Sequence, residues 1–193
     1  MGKRVCVYCS SSDVLDKKYL EAANTFAEAA SGRNWTIVCG GSRRGLMGII
    51  IDRMLDLGGD IQGVMPSFMK EIELEHRSLQ NLILVDSMAR RKELLRENTH
   101  AVVALPGGIG TIEEFIETYT LKRLGIYEGC VAILNLDGFF DPMLKMFEHL
   151  VNEKMLNSNW SDSLIIAQST EELVELLECA VPQRMHPAHY APA

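Results

Sequence analysis

No stretch of this 193-residue chain approaches the roughly 18 consecutive apolar residues that a membrane span requires. The amino-terminal Met-Gly-Lys-Arg runs straight into a short strand pattern, without the longer apolar run and small-residue cleavage site of a secretory signal, so a soluble, cytoplasmic protein is expected. Positive charge is scarce: 19 lysines and arginines against 26 acidic residues leave a net charge of −7. Nucleic-acid binding needs a basic face, so no nucleic-acid partner and no membrane partner are expected. A small phosphorylated ligand remains compatible, because it needs only local positive charge. Proline- or serine-rich linkers and shifts in composition are also missing. The chain therefore reads as a single nucleotide-binding domain over residues 1–181 with a loose tail at 182–193, and 47% hydrophobic content is enough for a real core.

Cysteine is present without a pairing pattern. Cys6, Cys9, Cys39, Cys130 and Cys179 are odd in number and lie mostly in apolar, strand-like segments, which suits buried free thiols in a reducing compartment. Cys6 and Cys9 have the spacing of a redox or zinc motif, but strand residues three apart point to opposite faces, and no second pair completes a zinc site. His76, His100 and His149 are scattered with no metal-binding spacing, so no metal is expected. Ser10-Ser11-Ser12 lacks a nucleophile-elbow context, which argues against Ser/His/Asp catalysis.

What the chain does have is alternation. Strand patterns at 3–9, 36–39, 60–65, 82–85, 100–105, 130–136 and 164–166 are separated by helical patterns at 16–31, 45–57, 88–98 and 112–124. A long amphipathic helix follows Asp141-Pro142, and a last helix falls near 170–180. Pro66 is expected to stop the third strand. Continuous apolar strands in a βαβ rhythm predict an α/β fold, a doubly wound, Rossmann-like parallel sheet with helices on both faces. Ligands in such folds sit outside the carboxyl ends of the strands.

Two glycine-rich turns open on that edge. In Gly40-Gly41-Ser42-Arg43-Arg44-Gly45-Leu46-Met47-Gly48, backbone N–H groups and the Ser42 hydroxyl could hold phosphate or ribose oxygens, and Gly48 suggests close helix–sheet packing. An ordinary turn that needed small residues explains this stretch equally well. The second turn, Pro106-Gly107-Gly108-Ile109-Gly110-Thr111-Ile112-Glu113-Glu114, carries more information. Bare backbone N–H groups at a helix start suit an anion, yet two carboxylates arrive within the first helical turn. Carboxylates repel phosphate, so chemistry on a phosphorylated substrate is the reading that requires them. Thr111-x-x-Glu114 is also a capping box, in which Thr111 would cap the helix. A plain cap does not need three glycines in four residues, and Thr111 can serve as both cap and phosphate contact. A dinucleotide fits poorly, since the third glycine of that fingerprint falls at Glu113. Arg90-Arg91-Lys92 at the start of the helix after the fourth strand oppose the macrodipole, a small cost that an anionic ligand would offset. Pairing with Glu93, Glu97 and their neighbours on a solvated face is the competing explanation. The run Lys70 to His76 is open between an exposed charged loop and a carboxylate that takes a ribose hydroxyl.

Pro106-Gly107-Gly108-x-Gly110-Thr111-x-x-Glu114 resembles the PGGxGTxxE signature of the LOG ("Lonely Guy") phosphoribohydrolases, and Met88-x-x-Arg91-Lys92 resembles their MxxRK element. The opening Val5-Cys6-Val7-Tyr8-Cys9-Ser10-Ser11-Ser12, the Gly40 to Gly48 turn and Asp137-Gly138-Phe139-Phe140-Asp141 extend the similarity over about residues 3–180. The resemblance implies a hydrolase that cleaves the N-glycosidic bond of an N6-prenyladenosine 5′-monophosphate to free base and ribose 5-phosphate. It implies no cofactor and a homodimer with the active site near the interface. Some members carry the label lysine decarboxylase, but nothing in this sequence supports pyridoxal phosphate chemistry. The residues implied are Arg91 and Glu114 for catalysis. Gly41, Ser42, Glu71, Lys92, Gly107, Gly108, Gly110, Thr111, Glu113 and Thr120 would contact phosphate or ribose, with Glu73 the alternative to Glu71. The chain departs from the family pattern at Ala89 and Arg90, at Arg43-Arg44, and in a slightly longer 71–79 segment. A general purine nucleotide nucleosidase acting on AMP, or a non-catalytic nucleotide or molybdenum-cofactor carrier on the same fold, are the alternatives.

Overall fold

The computed structural model describes residues 2–71 and 74–186, with Glu71 described by its backbone alone; Met1, Ile72, Glu73 and residues 187–193 lie outside the described residues. The described residues form seven strands: β1 (Arg4–Tyr8), β2 (Thr36–Cys39), β3 (Asp60–Pro66), β4 (Leu82–Val85), β5 (Ala101–Ala104), β6 (Cys130–Leu134) and β7 (Ile165–Ala167). All pair in parallel in the order β4-β3-β2-β1-β5-β6-β7. This is the doubly wound α/β sheet expected from the alternation. The strand order reverses between β1 and β5, so the crevice at their carboxyl ends is the place where such a fold receives a ligand. Pro66 does not stop β3 short but is its last residue, opposite Val85, where a missing N–H costs the ladder little.

The connecting helices are α1 (Lys17–Gly32), α2 (Gly45–Asp56), α3 (Ser67–Glu71), α4 (Met88–Arg96), α5 (Ile109–Arg123), α6 (Asp141–Asn152) and α7 (Thr170–Cys179). Two cores form, one on each face of the sheet. Val5, Val7 and Cys9 join Phe26, Ile50, Met54 and Leu173 on one face, and Cys6 and Tyr8 join Phe115, Tyr119, Phe147 and Trp160 on the other. The period of two along β1 thus sends Cys6 and Cys9 to opposite cores, and both are free thiols. Cys179 departs from the buried pattern and is exposed at the end of α7.

The carboxy-terminal stretch begins tethered. Gln183 N–H donates to the Glu128 carbonyl at 2.9 Å, Arg184 Nε donates to the Gly125 carbonyl at 3.1 Å, and Lys122 Nζ donates to the Gln183 carbonyl at 2.5 Å. Lys3 Nζ meanwhile donates to the Leu177 carbonyl at 2.7 Å and the Glu178 carbonyl at 2.5 Å, which satisfies acceptors left open at the end of α7.

Candidate active site

The turns after β1, β2 and β5 meet at the reversal point. Ser10 N–H donates to the Pro106 carbonyl at 3.2 Å, and the Ser10 carbonyl accepts from Leu46 N–H at 2.9 Å. Together they frame a cavity of about 530 Å³. Arg91, Glu113, Glu114, Thr111, Gly108, Gly110 and Ser42, all singled out from the sequence, line it. A larger, more open groove of about 710 Å³ runs past Asn98, His100 and Gly129 at the opposite, amino-terminal edge of the strands, away from these groups.

The second glycine turn is built differently from the capping-box expectation. Helix α5 starts at Ile109 with Gly108 as its N-cap, so Thr111 lies inside the first turn and is not the cap. Tertiary context overrides the poor helix propensity of the glycines and pulls the helix start three residues earlier than the pattern suggests. A Cβ at Gly107 would strike the Thr111 side chain at 2.1 Å, so this glycine is required by packing. At Gly108 and Gly110 a Cβ would meet no atom within 4 Å, and neither has a positive φ. Glycine inside a helix costs about 1 kcal/mol relative to alanine, and nothing in the protein itself repays that at Gly110. The open space over these two residues is where a ligand would lie against main-chain N–H groups. Space at the Gly40 turn is used up by the protein: Gly41 and Gly45 have positive φ, and a Cβ at Gly48 would meet the Arg43 carbonyl at 2.2 Å. Gly48 therefore serves the packing of its own turn, not helix–sheet contact.

Arg91 and Glu114 form the floor. Arg91 Nη1 donates to Glu114 Oε1, and Arg91 Nε donates to the Val64 carbonyl at 3.2 Å. The guanidinium lies over Gly40, where a Cβ would approach Nη2 within 2.3 Å. Both side chains come from helices on one face of the sheet, α4 and α5, and each residue is less than a tenth exposed. Burial pushes the Glu114 carboxyl above its usual range, while the Arg91 guanidinium pulls the other way without cancelling it. A buried carboxylate of raised proton affinity beside a cavity is a frequent mark of acid–base chemistry.

Lys92 turns to the other side of α4. Its ammonium pairs with Glu113 Oε1 at 2.5 Å and with Glu117, and Arg96 joins Glu117 at 2.9 Å. The cations that oppose the α4 macrodipole are thus largely answered by α5 carboxylates, and Arg90 by Glu93 at 2.9 Å. Lys92, Thr120 and Gly41 lie outside the described cavity lining, and Gly107 backs the turn. Glu71 ends α3, and Glu73 lies outside the described residues. The lining also holds residues assigned no site role from the sequence: Ser10, Ser11, Ser12, Gly40, Arg44 and an apolar wall of Met47, Met65, Met69, Met88 and Leu74.

The profile of a family described as "Possible lysine decarboxylase" matches residues 47–177. Cytokinin riboside 5′-monophosphate phosphoribohydrolase LOG2 of Arabidopsis thaliana is 35% identical over 181 residues, covering 94% of this chain and 85% of that protein. A probable enzyme of the same name from Oryza sativa subsp. japonica, LOGL2, is 33% identical over 94% of this chain and 74% of its own length. The chain belongs to the LOG family. Solved structures extend the likeness in fold alone. The molybdenum cofactor binding protein of Rippkaea orientalis superimposes with a TM-score of 0.70 at 19% identity, covering 92% of this chain and 96% of that one. The molybdenum cofactor carrier protein of Chlamydomonas reinhardtii does so with 0.70 at 16%, covering 92% and 97%. No lysine is among the described residues that line the cavity.

Proposed function

We propose that this chain hydrolyses the N-glycosidic bond of adenosine 5′-monophosphates, with N6-prenylated forms as substrates, to release the free base and ribose 5-phosphate. The observation that carries the reading is the Glu114 carboxylate, buried beside Arg91 and facing the same cavity as the unobstructed backbone of Gly108 and Gly110. Glycosidic cleavage passes through an oxocarbenium-like sugar, whose positive charge exists only near the transition state. A fixed carboxylate next to that charge stabilises the transition state more than the ground state. In this reading the main chain at Gly108 and Gly110, with the Thr111 hydroxyl, holds the 5′-phosphate, and Gly107 shapes the turn. The C1′–N9 bond breaks with its electron pair passing to the base. Water adds to C1′ while Glu114 accepts its proton, and the base leaves protonated by solvent or a neighbouring acid. Arg91 keeps Glu114 ionised and oriented. Glu113, Lys92, Glu71, Thr120, Gly41 and Ser42 are assigned to orienting ribose and phosphate, some of them through their neighbours.

The wall of four methionines and Leu74 supports a substrate whose base carries an apolar group, because unbranched thioether chains adapt to varied shapes. Residues 1–181 act as one nucleotide-binding domain. A homodimer in the cytosol is the proposed working form, and the high exposure of Ile109 and Val14 in the turns framing the cavity supports an apolar contact there. The test is chromatographic base release with AMP and isopentenyladenosine monophosphate in parallel. Release of adenine alone would make the protein a general purine nucleotide nucleosidase, and binding without release from either would make it a carrier.

A further inference from the structure

Leu74, Glu75 and His76 lie between α3 and β4 in the chain, and Leu74 lines the cavity. Two backbone hydrogen bonds join them to the turn after β2. Arg43 N–H donates to the Leu74 carbonyl at 2.9 Å and His76 N–H donates to the Gly41 carbonyl at 2.9 Å, and together they make an antiparallel bridge between Ser42 and Glu75. Ser42 and Leu74 both line the cavity, so this junction sets part of its wall. The His76 side chain is 8% exposed and lies outside the lining. Its Nε2 bonds Asp52 Oδ1 at 2.9 Å, while Nδ1 is buried with no partner among the described residues. Asp52 stands on α2, whose neighbouring Ile50, Ile51 and Met54 are fully buried, so the bond ties a loop to a rigid element.

We propose that His76 is a positioning residue for the reaction: held by Asp52, it fixes the 74–76 junction and so presets Ser42 and Leu74 before the nucleotide arrives. The inference rests on the phosphoribohydrolase reading. Since His76 meets no reacting atom, its loss falls on substrate binding common to ground and transition states, and so on KM and not kcat.

The experiment compares His76→Ala, His76→Gln and Asp52→Ala with the native enzyme in base release from both monophosphates. AMP binding is measured separately by equilibrium dialysis, with each change placed on a Glu114→Gln background. His76→Ala is expected to raise KM by about tenfold with kcat held within about twofold, and to weaken AMP binding by the same factor. His76→Gln, whose amide can donate to Asp52, should recover most of that loss. Asp52→Ala removes the partner from an exposed position, and it carries the test if His76→Ala does not fold. Unchanged KM and AMP affinity in folded variants, a joint fall in kcat, or a glutamine no better than alanine would each overturn the proposal. Should the native protein release no base from either nucleotide, the functional reading fails by itself and AMP affinity still decides the role of His76.

Discussion

Glu114 and Glu117 stand less than one turn apart on α5, and each meets cations from α4, yet the two carboxyls are driven in opposite directions. Glu114 is shut in with one guanidinium, and desolvation dominates, so its proton affinity rises. Glu117 is also raised by its partial burial, but hydrogen bonding to Lys92 and the charges of Arg96 and Lys92 outweigh this and lower it. The difference lies in water and in the number of positive partners. A chemically poised acid needs burial that its partner only partly offsets, whereas a structural ion network needs enough partners to keep every member charged.

The largest way to break the comparison is Glu114→Gln. It keeps the shape and removes the charge, and base release is expected to fall by about 10²-fold or more with the fold retained, checked by circular dichroism beside the assay. Near-normal release would refute the assignment. Arg91→Ala should follow, because it strands a buried carboxylate. Turnover drops, and the folded state loses about 3 kcal/mol at neutral pH, measurable by urea titration. The third contrast is the sign of the pH dependence of stability. For Glu114 the folded pKa lies above the unfolded value of 4.5, so the folded state binds more protons between the two. Its contribution is fully present below 4.5 and is lost as pH rises through the folded pKa. For Glu117 the folded pKa lies below 4.5, so its contribution is present above that value and lost as pH falls through the folded pKa. Native-minus-variant stability should therefore slope downward with pH for Glu114→Gln and upward for Glu117→Gln. In the proposed mechanism Glu114 must be ionised to take the water's proton, so the acid limb of kcat/KM should lie above 4.5. The smallest effect is Glu117→Gln at neutral pH, where stability is expected to change by no more than about 1 kcal/mol with base release unaltered.

Much of the sheet was readable because apolar runs and strands coincide: β2 and β4 keep the bounds their patterns suggest. Helix α3 was not, since its five residues are too few to show a period. The start of α5 was misplaced because glycines count against a helix locally, while the folded turn sets Gly108 at the N-cap and Gly110 inside the helix. Several motif residues line one cavity, but the Arg91–Glu114 contact joins side chains 23 positions apart, and no local pattern could pair them. The methionine wall was invisible for the same reason. Met47, Met65, Met69 and Met88 come from α2, β3, α3 and α4, and only the folded chain brings them to one surface.

The guanidinium over Gly40 has a consequence for how this enzyme could be lost. A single methyl group added at that residue would claim the seat of Nη2, and Arg91 is already pinned at Nε by Val64 and at Nη1 by Glu114. Every acid, base and hydroxyl of the cavity would remain, and so would the open backbone at Gly108 and Gly110. On the proposed mechanism, one hydrogen exchanged for a carbon there would separate a catalyst from a protein that merely grips nucleotides.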